Sequence, residues 1–140
     1  TVYLFLAVAL HLQFVSTVTI YDILIPEDYE CMKRLNIDAD KLVAMFHNNY
    51  RAKFEDPLLM EHSICWLKLT KMMDDTNNFV WKELEKFPLI ILPLFSNKNN
   101  VTNKEQLSIT IVENCKEKVN ANPSSKIQVF YNCVLDQLSS

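Results

Sequence analysis

From Pro26 onward the apolar residues recur at steps of three and four, in blocks separated by Asn, Asp and Pro. That is the period of amphipathic helices, and six helical segments are predicted from it. Pro26 introduces the first, over Glu27 to Leu35, and Asn36 can take the left-handed position that ends it. Asp38 or Asp40 caps a second, in which Leu42, Val43, Phe46 and Tyr50 share a face. Asp56 with Pro57 opens the third, whose stripe reads Leu58, His62, Cys65, Leu69 and Met72, widened by Leu59, Trp66 and Met73. The run Asp74-Asp75-Thr76-Asn77-Asn78 stops it. A short fourth segment, Phe79 to Phe87, runs into the Pro-broken stretch FPLIILPLF. Thr102 followed by Glu105 has the form of a capping box for the fifth, with an inner face of Leu107, Ile111, Val112, Cys115 and Val119. Asn122-Pro123 opens the sixth, with the stripe Ile127, Phe130, Tyr131, Val134 and Leu138.

The opening TVYLFLAVALHLQFVST has no acidic side chain, no Lys and no Arg. It is short for a bilayer of about 30 Å but matches the apolar region of a secretory signal peptide. Residues 1–18 are therefore expected to be a signal peptide truncated at its start, cleaved between Ser16 and Thr19. Residues 19–140 are expected to form one helical domain, secreted and extracellular, with no membrane span once processed. The net charge is −3, and Lys and Glu are interspersed along the helices, so no basic face for nucleic acid is expected.

The chain has no glycine. Positions with φ > 0 are then expected to fall to Asn or Asp, and tight hairpins are disfavoured. Neither a nucleophile elbow nor a glycine-rich phosphate loop can take its usual form. His11, His47 and His62 have no nucleophile motif beside them, so an enzyme is not expected. His62 reads as a partly buried, hydrogen-bonded histidine on the third stripe. The acidic turn after Met73 lacks the central Gly and distal Glu of a calcium loop, and no cofactor or metal is implied.

Cys31, Cys65, Cys115 and Cys133 lie too far apart for a zinc knuckle and point to two disulfides in an oxidising compartment. Three pairings are formally possible. A hairpin of the last two helices brings Cys115 to Cys133, which leaves Cys31 for Cys65.

The stretch CWLKLTKMMDDTNNF, from Cys65 to Phe79, resembles the helix and acidic turn that carry the third cysteine of insect odorant-binding proteins. In that register the family's second cysteine falls on Glu61 and its fifth on Ser124, two positions that bond to each other in six-cysteine members. Both are replaced here, so the chain is similar to the four-cysteine "minus-C" branch, and the remaining pairs match the family's first-to-third and fourth-to-sixth bonds. A second register, with Cys65 as second cysteine and Leu69 as third, would strand Cys31 and Cys65. The interval from Cys65 to Cys115 is longer than usual, and the Gly common after the third cysteine is absent.

The resemblance implies an all-α, six-helix, disulfide-linked domain enclosing an apolar cavity. It implies a carrier of small hydrophobic ligands such as odorants or pheromones, with a chemosensory receptor or a second copy as macromolecular partner. Within that frame the stripes nominate Phe46, Tyr50, Trp66, Leu69, Met72, Met73, Phe87, Leu94, Phe95, Ile111, Phe130, Tyr131 and Val134 for the wall, with Tyr131 or Tyr50 as polar anchor. The competing reading is a secreted, disulfide-stapled helical interaction protein, cytokine-like or venom-like, with FPLIILPLF as an exposed apolar interface.

Overall fold

The computed structural model describes residues 17–140; residues 1–16, which hold most of the expected signal peptide, lie outside the described residues. The described chain is helical, with only two isolated antiparallel bridges and no strand. Its helices are α1 (Ile20–Ile23), α2 (Pro26–Leu35), α3 (Ala39–Val43), α4 (Pro57–Leu69), α5 (Trp81–Leu84), α6 (Phe87–Ile91), α7 (Lys104–Ala121) and α8 (Lys126–Ser139). Among them no helix is long and apolar enough to cross a membrane.

The helix ends follow from local chemistry. Asp28 accepts from the Ile25 N–H at 3.0 Å at the start of α2, and Asn36 ends it in the left-handed region with φ 53°. Asp38 caps α3 by accepting from the Lys41 N–H at 2.8 Å, and Asp56 caps α4 by accepting from the Leu58 N–H at 3.0 Å.

Five expectations are corrected by the fold. The second segment ends at Val43, so Phe46 and Tyr50 do not continue its face. Instead the chain reverses through His47-Asn48-Asn49-Tyr50, with Phe46 bridging Ala52 and the His47 N–H donating to the Arg51 carbonyl at 2.8 Å. Helix α4 stops at Leu69, before Met72. Lys71 turns into the left-handed region, and the Met73 N–H reaches back to the Leu67 carbonyl at 3.0 Å. Pro88 supplies no N–H to continue the fourth helix, which breaks into α5 and α6. Asn103, not Thr102, caps α7, accepting from the Gln106 N–H at 3.1 Å. Finally, a 3₁₀ turn over Pro123–Ser125 precedes α8, which starts at Lys126.

Absence of glycine is met differently than expected. Asn36 and Asn77 take φ > 0, but so do Tyr50 and Lys71. Two hairpin-like reversals form without Gly, closed by the Phe46–Ala52 and Met73–Phe79 bridges. In the second, Asp74 Oδ1 accepts from the Thr76 and Asn78 N–H groups, both at 2.9 Å. Those bonds hold its carboxyl below the usual carboxylate range and complete an Asx-type turn.

Two disulfides clamp the fold. Cys31–Cys65 ties α2 to α4, and Cys115–Cys133 ties α7 to α8 across their hairpin, as the sequence register with Cys65 in third place requires. The main core gathers Trp66, Leu84, Ile111, Val112, Phe130, Val134 and Leu138 around these helices. A smaller cluster of Met32, Leu42, Met45 and Leu59 sits under the 44–56 loop. That loop is anchored to α8 by the Tyr131 hydroxyl donating to the Tyr50 carbonyl at 2.6 Å, by an Arg51–Asp136 ion pair and by Arg51 Nη1 donating to the Asn132 carbonyl at 3.4 Å.

Candidate ligand cavity

A cavity of about 130 Å³, partly open to solvent, lies between α4 and α8 and is lined also by α1, α2, α6 and the 44–56 loop. Helix α4 contributes Leu59, His62, Ser63, Trp66 and Leu67. These recur at steps of three and four and so occupy one face. Of the expected stripe His62 faces the cavity, with Leu59 and Trp66 that widened it, whereas Leu58, Cys65, Leu69 and Met72 do not: Cys65 is committed to α2, and Met72 lies past the helix end. Helix α8 contributes Ile127, Phe130 and Tyr131, and the α6 segment contributes Phe87, Ile90, Ile91 and Leu94.

Aromatic rings join these elements. Phe87 meets Trp66 at 5.9 Å, Phe130 at 5.5 Å and Tyr131 at 6.1 Å between centroids. Phe130 also meets Phe79 at 5.7 Å, and Tyr131 meets Phe54 at 5.6 Å. Most of these pairs are edge-to-face, the arrangement favoured by the ring quadrupole, so the wall is held by directional contacts as well as by burial.

Of the residues nominated from sequence, Phe46, Trp66, Phe87, Leu94, Phe130 and Tyr131 are brought together on this wall. Met72, Met73, Phe95, Ile111 and Val134 are buried in the core outside it. Leu69 and Tyr50 are half-buried beside that core, also off the wall. Of the two tyrosines named as anchors, Tyr131 stands on the wall and Tyr50 does not. The Tyr131 hydroxyl is spent on the Tyr50 carbonyl, and burial pushes its phenol well above the usual range.

The polar groups of the wall are instead Asp28, His62, Ser63 and the indole of Trp66. Ser63 satisfies its hydroxyl by donating to the Leu59 carbonyl at 2.8 Å. The other three form a cluster. His62 Nε2 stands 3.7 Å from Asp28 Oδ1, beyond direct hydrogen-bonding distance. Among the described residues His62 Nε2 and Trp66 Nε1 make no hydrogen bond of normal geometry, while the Asp28 backbone lies against the imidazole. Sequence periodicity could expose His62 and Trp66 but not Asp28, which reads there as an ordinary first-turn acid of a helix.

Burial raises the Asp28 carboxyl to about 6, although the Ile25 N–H and the neighbouring indole pull it down. Burial lowers His62, leaving it neutral at neutral pH. The sign for stability follows from linkage. An acid whose folded pKa is raised favours folding most below its unfolded value near 4 and loses that contribution as pH rises through about 6. Asp28→Asn removes the burden of a buried carboxylate. It is expected to stabilise the protein by up to about 3 kcal/mol at pH 7.5 and to be close to neutral at pH 4. His62 contributes in the opposite sense but is present in both proteins. Urea titrations of the two at both pH values check this; equal differences at the two pH values would contradict it.

No curated protein and no solved structure gives a significant match to the chain. The family model described as the PBP/GOBP family matches residues 27–137, from the first turn of α2 to the last turn of α8. That span contains every element clamped by the two disulfides and most of the cavity wall. An all-helical fold, four cysteines bonded in first-to-third and fourth-to-sixth order, and a family match over most of its length mean that this chain belongs to the PBP/GOBP family of odorant-binding proteins, in its four-cysteine form.

Proposed function

We propose that this protein is a secreted, non-catalytic carrier that encloses a small apolar molecule, an odorant, pheromone or other semiochemical, in the cavity between α4 and α8. The observation that carries the reading is the cavity itself: apolar and aromatic on nearly every side, inside a member of a carrier family. Its volume of about 130 Å³ is close to that of an engineered apolar cavity, about 150 Å³, that takes up benzene. It is below the roughly 300 Å³ at which drug-sized pockets begin. Compact volatiles of about one ring therefore suit it better than long-chain ligands. Two disulfides support an extracellular setting.

The interaction-protein reading is less well supported. FPLIILPLF was its expected patch, but Pro88, Ile91, Leu92 and Phe95 are buried and only Pro93 of the stretch is exposed.

Calorimetric titration of the oxidised protein with toluene tests the carrier. Saturable binding near one site per chain is expected. Ala52→Phe, which places a ring into the cavity from the 44–56 loop, is expected to weaken it at least tenfold while circular dichroism stays helical. Absence of saturable binding by the folded wild-type protein would overturn the reading.

A further inference from the structure

We propose that Asp28, His62 and Trp66 form a polar subsite inside the cavity that takes the hydroxyl group of a compact alcohol. The inference rests on the carrier reading and narrows it to a ligand class.

Two of the three side chains are more than nine-tenths buried, His62 at 5% exposed and Trp66 at 8%, and both line the cavity. Among the described residues the buried His62 Nε2 and Trp66 Nε1 make no hydrogen bond of normal geometry, although the indole lies close enough to Asp28 to favour its carboxylate. Such orphans are rare in folded proteins, because each forfeits its bond to water and receives nothing in exchange. The indole N–H can only donate. Asp28 also lines the cavity, with Oδ2 occupied by the Ile25 N–H and Oδ1 turned towards His62 at 3.7 Å. The gap between nitrogen and carboxylate oxygen is too long for a direct bond and too short to admit an oxygen in line, so an oxygen that connects them sits beside the pair, on its cavity side.

The demands on that oxygen are specific. It must accept from Trp66 Nε1. With Nε2 facing a carboxylate, the Nε2–H tautomer of neutral His62 is favoured, so it accepts there too. Toward Asp28, a carboxylate at neutral pH, it must donate. A hydroxyl has one donor and two acceptor sites and meets all three. An aldehyde or ester accepts but leaves Asp28 opposite a lone pair. A carboxylate adds a like charge beside Asp28, and an ammonium group cannot accept from either nitrogen. Around the subsite, Phe87 and Phe130 provide the apolar wall for the rest of a ring-sized molecule.

The test is a set of ligands sharing one ring: toluene, benzaldehyde, benzyl alcohol and benzoate, each titrated by calorimetry at pH 7.5 into the oxidised protein. Benzyl alcohol is expected to bind about tenfold more tightly than benzaldehyde, with benzoate weakest. In Asp28→Asn the side-chain amide offers a donor as well as an acceptor, so the alcohol-to-aldehyde ratio is expected to fall towards one. Trp66→Phe is expected to weaken alcohol and aldehyde together. Toluene has no polar group and reports whether the cavity is formed in each protein. If toluene binds the wild type but alcohol and aldehyde bind it equally, the hydroxyl subsite is wrong and the carrier stands. An alcohol preference that survives Asp28→Asn unchanged overturns the subsite as well. If toluene itself finds no site in the folded wild type, carrier and subsite fall together.

Discussion

Replacing Cys31 and Cys65 together by serine is expected to lower the melting temperature by roughly 10 to 20 °C and to abolish ligand uptake at 37 °C. The bond closes a loop with a sequence separation of 34, for which the chain-entropy model assigns about 4 kcal/mol. A domain of this size has only about 5 to 15 kcal/mol in total, and each kcal/mol moves its midpoint by about 4 °C. The functional consequence is local. Cys31 lies one turn beyond Asp28 on α2, and Cys65 lies between His62 and Trp66 on α4. The bond therefore sets the spacing of the polar cluster. Serine at Cys115 and Cys133 opens a shorter loop, with a separation of 18, worth about 3 kcal/mol, and leaves that cluster in place. Thermal melts followed by circular dichroism rank the two; a larger loss from the Cys115–Cys133 pair would contradict this order.

Phe130→Ala is expected to destabilise the protein by about 3 to 5 kcal/mol and to shift its preference towards larger ligands. The ring is 3% exposed and meets Phe79, Trp81 and Phe87 within 6.2 Å, so its removal forfeits burial and three aromatic contacts at once. These neighbours sit in the turn before α5, on α5 and on α6, and cannot all follow an alanine inward. The vacated space joins the existing cavity. Denaturant titration reads the first effect and calorimetry with naphthalene-sized ligands reads the second. A variant that loses stability yet gains no affinity for the larger ring would show that the wall collapses inward. Leu138→Ala is a useful contrast: equally buried but off the wall, it should destabilise without widening the ligand range.

Much of the helical framework was legible because its signals are local. Asn36, Asp38 and Asp56 act within a turn of their own positions, so composition and spacing identify them. The cysteine pairs were legible too, since an αα-hairpin leaves one partner for Cys115, and Cys31 must then find Cys65. Helix ends without a strong stop were not. Lys71 and Tyr50 take left-handed conformations that their residue types do not favour, and the hydrogen bonds from Met73 to Leu67 and from Tyr131 to Tyr50 accompany those turns.

The cavity wall divides along the same line. Phe46, Trp66, Phe87, Leu94, Phe130 and Tyr131 are large apolar residues that line it, though only Trp66, Phe130 and Tyr131 do so from a helical stripe read in the sequence. Met72, Met73, Phe95, Ile111 and Val134 have the same character in sequence and are packed into the core. Periodicity reports that a residue faces inward; it carries no information on whether its neighbour there is a side chain or a void. The sequence by itself determined the helical class, the two crosslinks and the apolar stripes, because propensity, capping and pairing depend on residue type and short spacing. Tertiary structure alone decided which face of α4 looks into the cavity, how large that cavity is, and that Asp28 on one helix meets His62 and Trp66 on another. Those are outcomes of how α2 and α4 are rotated when the Cys31–Cys65 bond draws them together, a long-range constraint that no local window contains.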